Sequence, residues 1–443
     1  MYHCGPTVYD RAHIGNLRSY VFADTLRRVM EYNDYKVRQV INITDIGHLT
    51  SDGDIGEDKM TKALIRDNKP LTMQSMHDLA TKYFETFKED LKSLNIETPD
   101  FFPRASEHIK EDLELIEKLF ANDFAYKAEN GIYFDTEKFQ DYGAIVGGKE
   151  KLQWNEEFAR IKPTSGKKSH PDFILWKFDD KIGWESPWGK GFPGWHIECS
   201  AMARKYLGQP FDIHTGGTDH IPVHHNNEIA QSEAAYGVSL SNIWMHNAFI
   251  TINDSKMAKS SGNFITLETL KDEEKISPLS YRYWLLTAHY RSPINFSYDA
   301  VRASQTAFIR LIGTVSAYPD NGNIITHYKE RFLEYINNDL DTAKAIALIW
   351  DIIKDSSCSA ADKKATIIDF DRVLGLGLNE MPNFNTSNKP EKIPEEIIAL
   401  SEAREEARKN KEWEKADALR QEIESRGFEI QDSSDGANIV LKI

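Results

Sequence analysis

Residues 4–16, CGPTVYDRAHIGN, decide the fold because they join a predicted strand to a predicted helix through a tight turn. The strand is predicted over Tyr2 to Val8, and the helix begins near His13 and runs to about Tyr32 with one apolar face. Alternation over Lys36 to Ile43 predicts a second strand. Strand, helix and strand in this order form a βαβ unit, which predicts a parallel sheet that binds ligands at the carboxyl ends of its strands.

The rest of the chain adds an insertion to this sheet and a helical tail. A long amphipathic helix is predicted over Leu71 to Leu94, and strands over Phe211 to His214 and Ile243 to Ile252 resume the sheet. The predicted fold class is α/β: a Rossmann-like parallel-sheet catalytic domain with an insertion, followed by an all-α domain and a small C-terminal α/β segment. The predicted segments are residues 1–102 and 188–296 for the two halves of the catalytic domain, 103–187 for the insertion, 297–382 for the helical domain, 383–394 for a linker and 395–443 for the terminal segment.

Shorter patterns are predicted inside the insertion and the tail. The insertion contains a helix over His108 to Asn122 and a strand over Gly131 to Phe134. The terminal segment begins with a charged helix pair over Glu395 to Ser425 and ends in a strand over Asn438 to Ile443.

Composition bounds the class of protein. The chain has 443 residues, of which 40% are hydrophobic and 28% charged, so we expect a globular protein with no membrane-spanning segment. A net charge of −15 argues against a general nucleic-acid binder, although local basic patches remain compatible with RNA. The start of the chain lacks the pattern of a signal peptide, and three cysteines do not suit a disulfide framework. We therefore expect a cytoplasmic protein.

The sequence HIGN, residues 13–16, stands where the predicted strand passes into the helix. The free amide groups and the dipole of a helix amino terminus favour phosphate there. Gly15 would let a nucleotide approach the backbone, and His13 and Asn16 offer side-chain donors. An ordinary strand-to-helix turn is the simpler interpretation of four residues taken alone.

A second motif, KMAKS at residues 256–260, places two lysines three positions apart ahead of a glycine-containing turn. Such a pair suits a loop that closes over a triphosphate and neutralises its charge. An isolated lysine pair is more often a solvated basic loop. The two motifs occurring together, in this order, favour nucleotide binding.

Four residues of zinc-ligand type complete the set. His224 and Glu228 are four positions apart, so a helix places both side chains on one face. With Cys4 and Cys199 they give two sulfurs, one nitrogen and one oxygen, a set compatible with tetrahedral zinc. Buried structural thiols are the alternative for the two cysteines. Spacing does not exclude four rival ligands, which are His196, His214, His220 and His225.

Longer blocks carry a resemblance to a known family. They are CGPTVYD running into HIGN, PGWHIECSAM at 193–202, DIHTGG at 212–217 and HHNNEIAQ at 224–231. In these blocks, and over nearly its whole length, the chain resembles the cysteinyl-tRNA synthetases, a family of class I aminoacyl-tRNA synthetases. The blocks are far more specific than either short motif.

The resemblance implies roles for individual residues. One zinc per chain would be held by Cys4, Cys199, His224 and Glu228. Catalytic roles are implied for His13, Asn16, Lys256 and Lys259. ATP and adenylate contacts are implied for Gly5, Thr7, His13, Gly15, Asn16, Thr44, Asp45, Gly216, Gly217, Asp219 and Lys259. Contacts to the cysteine substrate are implied for Cys4, Thr7 and Trp195.

The chain departs from the family pattern at three places. Asn16 stands where the class motif has histidine. Asparagine keeps a hydrogen-bond donor at this position but cannot become positively charged. Ala258 stands where serine is common, and both lysines of the motif are present. Members of the family normally carry a further segment ahead of the strand that holds Cys4.

The implied activity is the ATP-dependent activation of L-cysteine, with Mg²⁺ accompanying the ATP, and transfer to the 3′-terminal adenosine of cysteine tRNA. Zinc would select the thiol, because a serine hydroxyl is a poor ligand for it. The helical domain would lie on the anticodon side, residues 395–443 would bind the anticodon, and the enzyme would be a monomer. The basic residues that could face RNA there are Arg404, Arg408, Lys409, Lys411, Lys415, Arg420 and Arg426. Their charge pattern alone favours a solvated, ion-paired helix face, and the resemblance to the family tips the balance towards RNA.

Three alternatives belong to other functional classes. A cysteine ligase with an amino-sugar acceptor would share the zinc and ATP motifs but would lack the anticodon-type tail. A non-catalytic RNA-binding paralogue would not need the two lysines of the 256–260 motif. A zinc hydrolase or deaminase would need a general base beside an open metal position, and the deaminase motif is absent from the sequence.

Overall fold

The computed structural model describes residues 1–46, 59–152, 166–252, 255–256, 264–379, 394–426, 428–433 and 436–441. The chain divides into two compact units. The first consists of Met1–Phe308 and Asp320–Leu376, and the second of Ile309–Pro319 and Gly377–Ile443.

The first unit contains most of the helices and strands, and the helix Tyr298–Ser316 among them belongs to the second unit from Ile309 onward. In chain order they are β1 (Tyr2–His3), α1 (Ile14–Tyr32), β2 (Val40–Ile41), α2 (Lys59–Arg66), α3 (Met73–Ser93), α4 (Ile109–Ala121), β3 (Ala125–Lys127), β4 (Gly131–Phe134), β5 (Phe173–Phe178), β6 (Gly191–Pro193), α5 (Trp195–Leu207), β7 (Phe211–Gly217), α6 (Asn226–Tyr236), β8 (Ser241–Asn247), β9 (Ile250–Ile252), β10 (Ser255–Lys256), α7 (Pro278–Leu286), β11 (Ile294–Asn295), α8 (Tyr298–Ser316), α9 (Thr326–Asn337), α10 (Thr342–Lys354) and α11 (Ala360–Leu374). A π-helical turn, Ile221–His225, precedes α6.

The predicted βαβ unit is confirmed. A parallel sheet has the strand order β2-β1-β7-β8, and Tyr2 pairs with Val40 on one side and His214 on the other. The first strand ends at His3, earlier than predicted, because Gly5 leaves the ladder and donates its N–H to Asn42 Oδ1 at 2.7 Å. The helix after it begins at Ile14 and ends at Tyr32, as the apolar pattern predicts.

The single strand predicted over Ile243 to Ile252 is wrong, because two strands of different sheets lie there. Strand β8 ends at Asn247, and β9 pairs antiparallel with β10 and parallel with β11. Between them Ala248 donates its N–H to Tyr290 O at 2.8 Å. This bond to a distant segment takes the backbone out of the first sheet, which local alternation does not reveal.

The predicted insertion contains helix α4 and the first three strands of an antiparallel sheet of order β3-β4-β5-β6. The predicted helix over His108 to Asn122 and the predicted strand over Gly131 to Phe134 are both confirmed. Trp176 and Phe134 are fully buried in the hydrophobic core of this part. The last strand of the antiparallel sheet, β6, lies beyond residue 187, and the segment boundaries given above stay predictions.

A buried ion cluster joins α1 to the helices that follow the sheet. Asp24 of α1 accepts hydrogen bonds from Arg28 at 2.8 Å and from Arg282 of α7 at 2.6 Å, and its carboxylate is fully buried. Arg282 also donates to Leu374 O of α11 at 2.8 Å. Because each partner is charged and buried, loss of any one of them would leave the others uncompensated.

Apart from Ile309–Pro319, the second unit is an αα-pair followed by a hairpin. Its elements are α12 (Glu395–Lys409), α13 (Trp413–Ser425), β12 (Phe428–Ser433) and β13 (Gly436–Leu441). The two strands are antiparallel, and a small apolar core contains Ile397, Ile423, Phe428 and Ile430. The predicted helix pair is confirmed, whereas the predicted linker at 383–394 lies outside the described residues except for Pro394. Within the described ranges no helix is both long and apolar enough to span a bilayer.

Candidate active site and metal centre

A cavity of 540 Å³ lies at the carboxyl ends of the parallel strands. It is lined by the residues after β1, by the first turn of α1 and by the last residues of β7 and β8. This is where a parallel α/β sheet is expected to bind its ligand. The lining includes the following predicted site residues: Cys4, Gly5, Thr7, His13, Gly15, Asn16, Trp195, Gly217, Asp219 and His224.

The predicted phosphate-binding turn forms a capping box. His13 is the N-cap of α1, and its Nδ1 accepts a hydrogen bond from Asn16 N at 3.1 Å. Asn16 Oδ1 lies 3.4 Å from His13 N and accepts from it. The two side chains predicted to bind ATP therefore also fix the amino terminus of α1 beside the cavity.

Gly5 occupies a position that no other residue could fill. A Cβ atom built on it would lie 1.5 Å from Asn42 O, which is far inside contact distance. Thr7 follows and pairs with Thr44 as an isolated parallel bridge. The turn between β1 and α1 is thus held against the end of β2. Gly5 and Thr7 also line the cavity.

Thr44 and Asp45 are not among the cavity-lining residues. Thr44 Oγ1 donates to Glu198 Oε2 at 3.0 Å, and the Asp45 carboxylate accepts from Ser106 N at 2.9 Å. Burial raises the pKa of Asp45, although Ser106 partly offsets this effect. The adenylate contacts predicted for Thr44 and Asp45 stay predictions, and the hydrogen bonds of both side chains point into the protein interior.

The two glycines at the end of β7 differ in their exposure to the cavity. Gly217 lines the cavity with Asp219, whereas Gly216 is buried behind it. A Cβ on Gly216 would lie 2.8 Å from His225 Cε1, so the absence of a side chain lets the histidines pack against the strand. The predicted ATP contact of Gly216 would have to come from its backbone.

The lysine motif is only partly described. Lys256 lies on β10, where it pairs with Thr251 of β9, and its side chain is outside the described part. Lys259 is outside the described residues altogether. The predicted catalytic roles of both lysines stay predictions.

The four predicted metal ligands come together. One ligand atom from each of Cys4, Cys199, His224 and Glu228 lies within 4.8 Å of every other, and all four residues are buried. The Cys4 Sγ is 3.8 Å from Glu228 Oε1, and His224 Nε2 is 2.9 Å from the same oxygen. His224 Nε2 is buried with no hydrogen bond of acceptable geometry to any described residue. An inward nitrogen of this kind, beside two thiols and a carboxylate, fits a zinc ion.

The electrostatics of the four residues also suit a cation. Burial disfavours the thiolate of Cys199, but hydrogen bonding with Cys4 and the charge of His224 outweigh it and lower its pKa to about 6. Burial likewise opposes ionisation of Glu228, yet His214 and His224 lower its pKa to about 2. A buried site with two anions at neutral pH attracts a divalent cation, which would replace the proton on His224.

Trp195 packs against one of the four donors at the cavity wall. Its ring centroid lies 4.3 Å from that of His224, and both residues line the cavity. An indole placed there gives an apolar wall beside the thiol donors, as the predicted contact to a cysteine substrate requires.

Arg18 is a positioning residue that the sequence motifs do not include. It is 3% exposed, and its guanidinium donates to the carbonyl oxygens of Phe249 at 2.7 Å and Ser292 at 2.6 Å. It also reaches the carbonyls of His289 and Tyr290. Arg18 thereby fastens the first turns of α1 to the segments that enter β9 and β11. Its position on the apolar face of the predicted helix was the one available signal.

The chain matches sequence profiles and known proteins over nearly its whole length. The sequence profile described as "tRNA synthetases class I (C) catalytic domain" matches residues 1–306, and that described as "Cysteinyl-tRNA ligase anticodon binding domain" matches residues 391–438. The chain is 46% identical to cysteine--tRNA ligase 1 of Burkholderia lata, over 99% of this chain and 92% of that protein. The chain belongs to the cysteine--tRNA ligase family. The corresponding ligase of Treponema denticola is 39% identical over 98% of this chain and 93% of that protein.

A solved structure shows the fold of this family member independently. Methionyl-tRNA synthetase of Mycobacterium tuberculosis, in complex with methionyl-adenylate, superposes with a TM-score of 0.59 over 86% of this chain and 91% of that one. The two sequences are 16% identical, so the similarity concerns the class I synthetase fold alone.

The basic residues of the anticodon-binding segment are largely ion-paired within it. Arg426 lies 2.9 Å from Glu396 and 2.6 Å from Glu422, and Arg420 lies 3.0 Å from Glu424. Exposed pairs of this kind contribute little stability and separate readily. They fit the ion-paired helix face as well as they fit an RNA contact.

Proposed function

We propose that this chain ligates L-cysteine to cysteine tRNA at the expense of ATP. The observation that carries the proposal is one cavity that joins the amino terminus of α1 to Cys4 and His224, two members of a buried set of four zinc-type donors, in a member of the cysteine--tRNA ligase family. The first feature suits a phosphate and the second a thiol. Activation of cysteine requires both at once.

In the first step a carboxylate oxygen of cysteine attacks the α-phosphorus of ATP. An oxygen–phosphorus bond forms to give cysteinyl-adenylate, and the bond to the departing pyrophosphate breaks. The chain supplies no nucleophile, so its residues act by holding the two substrates in line and by stabilising charge. ATP enters with Mg²⁺.

The α1 end of the cavity would hold the phosphates. His13 and Asn16 sit at the helix amino terminus, where backbone N–H groups and the helix dipole favour an anion. Lys256 and Lys259 would approach the same phosphates and stabilise the negative charge that develops on pyrophosphate. Gly15, Gly217 and Asp219 line the same cavity.

The other end would hold the cysteine side chain. Cys4, Cys199, His224 and Glu228 would bind zinc, which when present supplies a soft Lewis acid that a thiolate ligates far better than a hydroxyl. Trp195 and Thr7 would orient the amino acid against this group. A hydrophobic pocket alone discriminates by about 1–3 kcal/mol for one small group, so a metal held here would provide the selection against serine without an editing site.

In the second step the ribose hydroxyl of the 3′-terminal adenosine of cysteine tRNA takes the aminoacyl group from the adenylate, and AMP leaves. The second unit, which contains the anticodon-binding profile match, would contact the other end of the tRNA. We propose a monomer that works in the cytoplasm, where its three free cysteines would stay reduced.

The amino-sugar cysteine ligase remains the nearest alternative. It would need the same cavity but no anticodon-binding segment. The match of residues 391–438 to that segment therefore favours tRNA as the acceptor.

The test is the charging of total tRNA with labelled cysteine and ATP, with serine as the control amino acid. Charging with cysteine alone is the expected result. Cysteine-dependent exchange of pyrophosphate into ATP without charging would transfer the proposal to the amino-sugar acceptor. Neither reaction with zinc present would overturn it.

A further inference from the structure

The histidines behind the cavity form a second donor set that overlaps the first. One ligand atom from each of Cys4, His214, His225 and Glu228 lies within 4.8 Å of every other, and these residues are as buried as the first four. The two sets share Cys4 and Glu228. They differ in the exchange of Cys199 and His224 for His214 and His225.

Glu228 lies between the two sets because its oxygens face different rings. Oε1 is 2.9 Å from His224 Nε2, and Oε2 is 3.0 Å from His214 Nε2. On the other side Cys4 Sγ is 3.3 Å from His225 Nε2. A metal bound between Cys4 and Glu228 therefore has imidazole nitrogens available in two directions.

Each set also has its own supporting histidine. His224 Nδ1 lies 3.0 Å from His196 Nδ1, and His225 Nδ1 lies 2.7 Å from His246 Nε2. In metal sites the ring nitrogen that does not bind the ion is typically held by a second group, which fixes the ring and its tautomer. His225 is held in this way with Nε2 turned towards Cys4, as a ligand would be.

We propose that the second donor set, Cys4, His214, His225 and Glu228, is an alternative position for the same metal ion. This inference rests on the metal site assigned under the proposed function. One ion occupies either position, since two divalent cations would share at most three anionic groups, the thiolates of Cys4 and Cys199 and the carboxylate of Glu228. The consequence is that the protein keeps its metal when Cys199 is lost to oxidation or mutation.

Cobalt binding to metal-free protein tests this independently of tRNA charging. The Cys199→Ala variant is expected to bind about one Co²⁺ per chain, with about half the wild-type thiolate-to-cobalt charge-transfer absorption, because one thiolate remains. Its affinity is expected to fall by about 10–100-fold. The His225→Ala variant should match the wild type in stoichiometry and in charge-transfer intensity.

The decisive variant is Cys199→Ala combined with His225→Ala, which leaves neither set complete and should bind no cobalt. Its matched control is Cys199→Ala with His196→Ala, which removes the support of the first set only and should still bind the ion. Circular dichroism of each variant, with and without cobalt, reports folding.

Loss of cobalt from Cys199→Ala alone would overturn the proposal, as would retention of cobalt by the double variant with His225→Ala. A Cys199→Ala protein that stays unfolded in cobalt also counts against it, since the second set should then hold the ion. Wild-type protein that binds cobalt but charges no tRNA would overturn the proposed function and leave this inference standing.

Discussion

The two ends of the cavity are built in opposite ways. At the thiol end every donor is buried, with Cys199 and His224 each 1% exposed and Glu228 fully enclosed. At the phosphate end Asn16 is exposed, and the contacts of His13 and Asn16 serve the helix cap. Substitutions at the thiol end should therefore damage binding and folding together, whereas those at the phosphate end should affect catalysis with little loss of stability.

The largest effect is expected for Glu228→Ala. The change leaves buried His214 and His224 without the carboxylate between them, which should lower the free energy of unfolding by about 3–5 kcal/mol and abolish metal binding in either donor set. Urea unfolding and metal analysis measure the two effects. A Glu228→Ala variant that is as stable as the wild type and still holds metal would contradict the view that binding and folding are lost together at the thiol end.

Gly5→Ala tests the turn that both ends share. The new methyl group would lie 1.5 Å from Asn42 O, so we expect a loss of about 3 kcal/mol as the strand end is pushed away. Gly313→Ala is the matched control, because a Cβ there meets nothing within 4 Å and α8 should gain about 0.5–1 kcal/mol. Equal unfolding midpoints for the two variants in urea would contradict this account.

Arg18→Met should weaken ATP binding at the phosphate end because Arg18 holds the backbone there in place without contacting ATP. Its guanidinium holds the segments entering β9 and β11, and its loss removes the hydrogen bonds to the carbonyl oxygens of Phe249 and Ser292, at a cost of about 2 kcal/mol. In pyrophosphate exchange the KM for ATP should rise while the KM for cysteine stays unchanged. Arg18→Lys should recover part of both losses, and an equal rise in both KM values would argue against a division of the cavity.

His13→Asn separates the cap from the chemistry. Asparagine is a good N-cap residue, so the free energy of unfolding should change by less than about 0.5 kcal/mol. The imidazole is lost from the phosphate end, and cysteine-dependent pyrophosphate exchange should fall by about 10–100-fold. A parallel loss of stability would mean that capping, and not ATP, explains the histidine.

The smallest effect is expected at Asp90, a buried carboxyl of α3 near Arg11. Burial raises the pKa of Asp90 to about 7, above the value of about 3.9 for an unfolded chain. The folded protein therefore holds the proton more tightly, and the stability that this contributes below pH 4 is lost as the pH rises towards 7. Asp90→Asn should be about 1 kcal/mol more stable than the wild type at pH 8 and no more stable at pH 4, measured by urea unfolding at both values.

Much of the fold was accessible from the sequence because its signals are local. The apolar face of α1 and the alternation before Val40 need only neighbouring residues to be recognised. The four metal-type residues were found by chemical type and by resemblance, and the structure brings them together.

The remaining features depend on partners far away in the chain. Thr44 turns inward because Glu198 accepts its hydroxyl, and the chain leaves the sheet at Ala248 because Tyr290 accepts its amide. The order of the histidines around Cys4 likewise follows from packing, which is why spacing left His214 and His225 open as ligands. Only the folded arrangement gives these pairings.

Helix α1 also fixes the distance between two groups of contacts, one near each end. Arg18 fastens one end of it beside the cavity, while Asp24 and Arg28 are locked to α7, α11 and the turn after α3 at the other. Each residue inserted between these anchors would rotate one set by about 100° relative to the other. The helix can therefore accept new side chains on its outer face, but the six-position interval from Arg18 to Asp24 cannot change length without parting the synthetase cavity from the helices behind it.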